Sequence, residues 1–373
     1  MNKKGFTLVE LLAAIIILSL LALLAGTSVT NVVKNSKNEL YDSQLALIKS
    51  AAELWGADNL SLLPNAGECK YLTLGDLKKY GTLDSNIINP KTNEEFSDDM
   101  IIKISSKETE YGSLDINYEI EPSDITGCSA VPKSFVDDSW ATIVAAVKAG
   151  DFSVYNVGDT KEIALTGYTN GEPNSNGLYT VRIANTSTPD ECSTEGFSQT
   201  ACGFVIEFVD IITTNSMNST NTNVGGYPAS SMYTYIQNDI YNALPEELKS
   251  VIIPTTVVSS HGSTSGETNF VSEDKVYLLS TKEVWGKEGT SNIITNDTAE
   301  VETRQLDYYS NLGVTTSNCS GAIKKYNGSD HYWWLRSATS LNASNFCNVY
   351  IYGNWLTYNA HNTRGVAVAF RIG

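Results

Sequence analysis

Cysteine, histidine and serine are the side chains here most able to make or break bonds, so their spacing is read first. The six cysteines, Cys69, Cys128, Cys192, Cys202, Cys319 and Cys347, form no CxxC pair, and the three histidines, His261, His331 and His361, are scattered. Zinc sites draw closely spaced Cys and His ligands, so neither a metal nor a cofactor is expected. The G-x-S-x-G turn that exposes a hydrolase serine does not occur. A reactive thiolate needs a cationic or metal neighbour, and the residues around Cys347, SNFCNVY, offer none. Six cysteines allow many pairings. Domain boundaries suggest Cys69 with Cys128, Cys192 with Cys202, and Cys319 with Cys347. The chain is therefore read as no enzyme, the alternative being an enzymatic domain with a reactive Cys347.

Recognition chemistry is more visible. Asn342 to Asn362 reads NASNFCNVYIYGNWLTYNAHN, with six Asn and five aromatics in 21 residues and no acid, Lys or Arg. Tyr and Trp give large contact area for little lost entropy, and Asn both donates and accepts. The expected ligand-binding residues are Asn342, Asn345, Phe346, Asn348, Tyr350, Tyr352, Asn354, Trp355, Tyr358, Asn359, His361 and Asn362. A calcium site needs clustered Asp, Glu and Asn oxygens, and residues 338–364 carry no carboxylate, so contact would rest on stacking and amide hydrogen bonds. The plainer reading is a solvated loop plus a strand, with Val349, Ile351 and Leu356 inward and Tyr350 and Tyr352 outward.

These residues need a frame. At 373 residues the chain exceeds one ordinary domain. A net charge of -17 and a pI near 4.6 disfavour nucleic-acid partners, because an acidic surface repels phosphate. The N-terminus runs apolar from Phe6 to Ala25, long enough to span a bilayer as a helix, and is broken only by Glu10. Val32, Val33, Ser36, Leu40, Leu47, Ile48, Ala51, Ala52, Leu54 and Trp55 then recur at three- and four-residue steps, continuing one helix to about residue 55. IIKISS and SLDINYEIE alternate as half-buried strands of a small head over 56–130.

Val131-Pro132-Lys133 reads as a hinge. Beyond it DDSWATIVAAVKAGD predicts a helix with a Ser cap and Gly150 as its stop. CGFVIEFVDII, Cys202 to Ile212, predicts a continuous buried strand. SSMYTYIQNDIYNALPEELKSVI predicts a helix burying Met232, Tyr235, Ile236, Ile240, Ala243 and Leu244. WWLRSA and RGVAVAFRI predict core strands.

Gly5-Phe6-Thr7-Leu8-Val9-Glu10 resembles the type IV prepilin and pseudopilin signature. The resemblance implies cleavage of a leader (1–5) after Gly5 by a prepilin peptidase, N-methylation of Phe6, and single-pass storage in the membrane. Assembly with other pilin subunits into an extracellular, cell-surface pilus would follow, with Glu10 facing a neighbour's N-terminal amine.

The motifs from DDSWATIVAAVKAG through HYWWLRSA to RGVAVAF, over about residues 133–372, resemble a bacterial module of unassigned function in the C-type lectin-like, formylglycine-generating-enzyme-like fold group. Members often end G-V-R-P-A, and Gly365-Val366-Ala367-Val368-Ala369 lacks that Arg and Pro, so any role of that Arg is either absent or passed to Arg364 or Arg371. The Asn-rich segment, framed by WWLRSA and RGVAVAF, also resembles the variable region of diversity-generating retroelement receptors. Together these imply an α+β chain with a long pilin helix (6–55), a small sheet head (56–130) and a lectin-like binding domain (131–373). It would be a minor pilin-like subunit, with the tip as one place for it, binding an extracellular protein or glycan. The alternative is a structural pilin with no specific ligand.

Overall fold

The computed structural model describes residues 8–168, 177–286 and 303–373; within the first helix it describes the side chains of 12–19 and 32–58. Gly5 and Phe6, and the side chain of Glu10, lie outside the described residues. The chain divides into two compact units, Met1–Val131 and Pro132–Gly373. It is α+β, and each unit is built separately below.

In the first unit one helix runs Leu8–Asp58, three residues past the expected end. At 1.5 Å per residue it is about 77 Å long. Its C-terminal turns bury Ile48, Ala51, Ala52 and Trp55. Val32, Val33, Leu40, Leu47 and Leu54, expected on the same stripe, are exposed. Among the described residues no helix is long and apolar enough to cross a membrane; the apolar run Phe6 to Ala25 falls largely on side chains outside them.

The helix end packs on a four-stranded sheet ordered Leu114–Ile120, Ile101–Glu108, Cys69–Thr73, Ser129–Ala130. Alternation in IIKISS is realised: Ile102 and Ile104 point inward and are buried. KYLT completes the strand Cys69–Thr73, and the helix Leu74–Tyr80 starts directly after it. Thr73 and Asp76 form a capping box at that junction, each side chain accepting from the other's backbone N–H. A disulfide joins Cys69 to Cys128 across the neighbouring strands.

In the second unit the helix Trp140–Ala149 has Ser139 as N-cap and Gly150, at φ 76°, as C-cap, as its sequence predicts. Two sheets follow. One is ordered Ile252–Ile253, Val368–Ile372, Val205–Phe208, Leu178–Asn185, Thr160–Ala164, with Tyr277–Leu278 also pairing Val368–Ile372. The other is ordered Thr213–Ser216, Thr363–Val366, Trp333–Ala338, Asn345–Val349, Trp355–Asn359. Apolar side chains cover both faces of these strands: Trp334 and Phe346 join one core cluster, Trp333, Leu335 and Cys347 the other.

Two expected elements differ. The strand within CGFVIEFVDII is only Val205–Phe208: Gly203 turns the chain in at φ 71°, and Ile211 leaves the sheet to donate to the Lys325 carbonyl. The SSMYTYIQNDIYNA helix contains a π-helical stretch, Ile236–Ile240, between α segments. Met232, Ile236, Ile240, Ala243 and Leu244 are still buried, while Tyr235 is only half-buried.

Charge is also buried here. Arg336, the arginine of WWLRSA, has no exposed surface and grips the equally buried Glu283 with both Nη atoms at 2.6 Å. It also donates to the carbonyls of Leu278 and Val258. Burial alone would raise the Glu283 carboxyl; Arg336 outweighs it and holds the group below the usual carboxylate range. Glu207 is treated alike: burial opposes ionisation, while Arg182 at 2.8 Å and Lys324 at 3.0 Å hold its carboxyl low. Burial pushes the Lys324 ammonium down to about 8, partly offset by Glu207.

Asp274 is the contrasting case. It is buried beside Arg336 and among the hydroxyls of Ser272, Tyr233 and Tyr227, yet neither carboxylate oxygen gains a well-formed hydrogen bond. Burial, only partly countered by these neighbours, raises it from 3.8 to about 6. Folding therefore takes up a proton between those pH values, and the stability this group contributes is present below 3.8 and lost as pH rises through 6. An ionised Asp274 costs about 3 kcal/mol at neutral pH by the linkage relation. Asp274→Asn is expected to flatten the dependence of the unfolding midpoint between pH 4 and 7, and an unchanged profile would remove Asp274 as its source.

Candidate ligand-binding surface

The Asn-rich segment is a β-hairpin, Asn345–Val349 against Trp355–Asn359, at one side of the five-stranded sheet. Its tip is fixed from beneath. Gly353, at φ 86°, passes so near the Cys319 carbonyl that an added Cβ would lie 1.9 Å from it, so only glycine fits. The Trp285 indole donates to the Gly353 carbonyl, and the Cys319 thiol to that of Tyr352. At the other end the Asn223 amide donates to the carbonyls of Asn342 and Asn345, holding the connection into the hairpin. A surface held this way needs little ordering on contact.

The twelve expected binding residues separate into three groups. Tyr352, Tyr358 and His361 are exposed, and Tyr350, Asn354, Trp355, Asn359 and Asn362 are half-buried. Asn342 and Asn345 are half-buried too, but serve the fold: Asn342 Oδ1 accepts from Ser344 N–H, and Asn345 pairs with Asn359 across the hairpin. Phe346 and Asn348 must be withdrawn, because both are 0 % exposed and cannot meet a ligand at the surface. Phe346 joins the core beside Trp334, and the Asn348 amide is enclosed with no hydrogen-bond partner for either atom.

The surface also takes in residues that the segment does not contain. Ring contacts run from Tyr326 to His331, Tyr332, Tyr350 and Tyr352, with centroids 5.7, 6.1, 4.9 and 5.4 Å apart. These are edge-on contacts, the favoured geometry for aromatic pairs. Arg364 places its guanidinium 3.8 Å from the Tyr358 ring and 4.6 Å from Tyr332. Tyr332 immediately precedes the strand Trp333–Ala338, and Arg364 lies at the start of the strand Thr363–Val366. The sequence signal was present in HYWW and in the arginine after Asn362, but both flank the Asn-rich stretch.

Of the three expected disulfides, Cys69–Cys128 and Cys192–Cys202 form and Cys319–Cys347 does not. The Cys347 side chain is held inside the core by strand pairing with Thr357, while Cys319 turns to the Tyr352 carbonyl. Both remain thiols, and a fully buried Cys347 is a poor nucleophile for anything in solution. A thiol-selective alkylating reagent is expected to label Cys319 in the folded protein and Cys347 only after unfolding. Labelling of neither under denaturing, non-reducing conditions would restore the third disulfide. Among the described residues no group of three or more His, Cys, Asp or Glu could hold a metal.

Comparison with known proteins defines the N-terminal class first: residues 1–26 match the prokaryotic N-terminal methylation motif, so the chain carries a type IV pilin-type N-terminus. The match at the other end is more particular. Residues 206–373, which include the whole hairpin surface, match a domain of unknown function (DUF6273). Neither a curated protein nor a solved structure matches the chain significantly.

Proposed function

We propose that the protein is a minor type IV pilin-like subunit whose second unit, of lectin-like type, displays the hairpin surface for adhesion to an extracellular ligand. In this reading a prepilin peptidase cleaves after Gly5, Phe6 becomes the methylated N-terminus, and the subunit waits in the membrane before joining other pilin subunits. The exposed Val32, Val33, Leu40, Leu47 and Leu54 would be covered by helices of neighbouring copies, which supports assembly. The second unit works without catalysis. The observation that carries adhesion is the aromatic surface itself: Tyr352 is 66 % and Tyr358 37 % exposed, on a hairpin pinned at both ends. Large solvated rings on a rigid frame are the usual anchors of a recognition surface, and several copies on one cell would add avidity.

Cells carrying Tyr350→Ala, Tyr352→Ala, Trp355→Ala and Tyr358→Ala together are expected to lose attachment to glycan- or host-protein-coated surfaces at least about tenfold. Undiminished attachment with normal surface display would sink the adhesive reading in favour of a purely structural subunit.

Asn348 bears on how this composition arose. A buried amide without partners costs about 1–3 kcal/mol, so selection for folding alone does not explain an Asn there. It fits adenine-directed diversification of the coding segment. A near-identical template repeat differing at adenines beside a reverse-transcriptase gene would support that origin, and its absence would reject it.

A further inference from the structure

Arg364 departs from the other arginines. Arg182, Arg304 and Arg336 each reach a carboxylate, and Arg371 lies on the terminal strand of the other sheet beside Tyr277. Arg364 has no acidic partner among the described residues, although acids outnumber Lys and Arg by 42 to 25 in the chain. Among the described residues its one side-chain hydrogen bond runs from Nη1 to the Thr363 carbonyl at 2.8 Å, and Nε is buried without a partner there. The side chain is nevertheless held in place, its guanidinium stacked on Tyr358 and Tyr332. Such stacking fixes the plane of the fork, and Nη2 has no acceptor among the described residues.

We propose that Arg364, held between Tyr332 and Tyr358, recognises a carboxylate or sulfate on an acidic saccharide whose rings stack along the adjoining tyrosines. The inference rests on the adhesive reading above and assigns its ligand class. A fork with a fixed plane matches the two oxygens of a carboxylate or sulfate, and the CH face of a pyranose is apolar enough to lie on a phenol ring. A protein epitope fits less well. Between residues 350 and 364 the exposed side chains are Tyr352, Tyr358, His361 and Thr363, with no exposed aliphatic residue to form the apolar centre of a protein interface. The net charge of -17 repels an acidic ligand at long range, so discrimination must come from this local cation.

The test uses the full chain, solubilised in detergent, on an array of matched neutral, carboxylated and sulfated oligosaccharides together with acidic peptides. Wild type is expected to prefer the acidic member of a matched pair by about tenfold. Arg364→Gln should bring the pair within about twofold while keeping the neutral binding that stacking supplies, with near-UV circular dichroism checking the fold. Arg364→Lys, which keeps charge but not the fork, should fall between. Lowering the pH to 3 separates the sources, since the carboxylate arm weakens on protonation and the sulfate arm does not. Retention of the acidic preference in Arg364→Gln would overturn this proposal and leave adhesion standing. Arg364-dependent binding to acidic peptides with no saccharide binding would overturn the saccharide assignment. No binding by wild type to any saccharide or peptide would overturn both.

Discussion

Glu283→Gln is expected to destabilise the second unit by about 3–5 kcal/mol, because it leaves the Arg336 guanidinium buried without its counter-charge. Both side chains have no exposed surface, and their two 2.6 Å contacts supply the compensation for dehydrating them. Removing one partner therefore costs more than the pair is worth. Total stabilities of single domains run about 5–15 kcal/mol, so the loss could unfold the unit outright. Arg336→Met should do comparable damage, whereas the combined Glu283→Leu and Arg336→Met variant should lie closer to wild type than either single change. Urea unfolding followed by near-UV circular dichroism reports the unit, which holds five of the six tryptophans. A single variant within about 1 kcal/mol of wild type would show that the pair carries no such weight.

The second large effect belongs to the first unit. Cys69 and Cys128 are 59 residues apart in sequence and close a loop that contains most of its sheet. The loop-closure relation gives about 4 kcal/mol for a loop of this size, against about 3 kcal/mol for Cys192–Cys202, whose separation is 10. Cys69→Ser with Cys128→Ser is thus expected to lower the urea midpoint of the first unit and leave the second unit unmoved. A shift of equal size in both transitions would contradict independent units.

How much of this was legible in the sequence depended on the range of the interaction. Ser139 and Gly150 announce a helix because caps act within one turn. The run WWLRSA announces a core strand because its apolar residues are adjacent. The long N-terminal helix was legible in the same way, whereas the two disulfides followed from domain boundaries, Cys69 and Cys128 being 59 residues apart. Burial of Glu207 and Arg336 was not: their partners Lys324 and Glu283 lie 117 and 53 residues away, and a charge in sequence reads as a surface residue. The candidate surface shows the same division. The aromatic and amide character of 342–362 was plain, but period-2 alternation marks an inward face only where the other face is wet. Here both faces of Asn345–Val349 are covered, which took Phe346 and Asn348 out of reach. Tyr332 and Arg364 were missed because ring contacts, not sequence, bring them to the hairpin.

The Cys69–Cys128 bond has a mechanical meaning as well. Tension applied between the N-terminal helix and the second unit would enter the first sheet at Cys69 and leave it at Cys128, by way of two sulfur atoms. About 200 Å of contour between them lies outside the load path and cannot be drawn out. Under traction the sheet would behave as a short covalent link rather than as a spring.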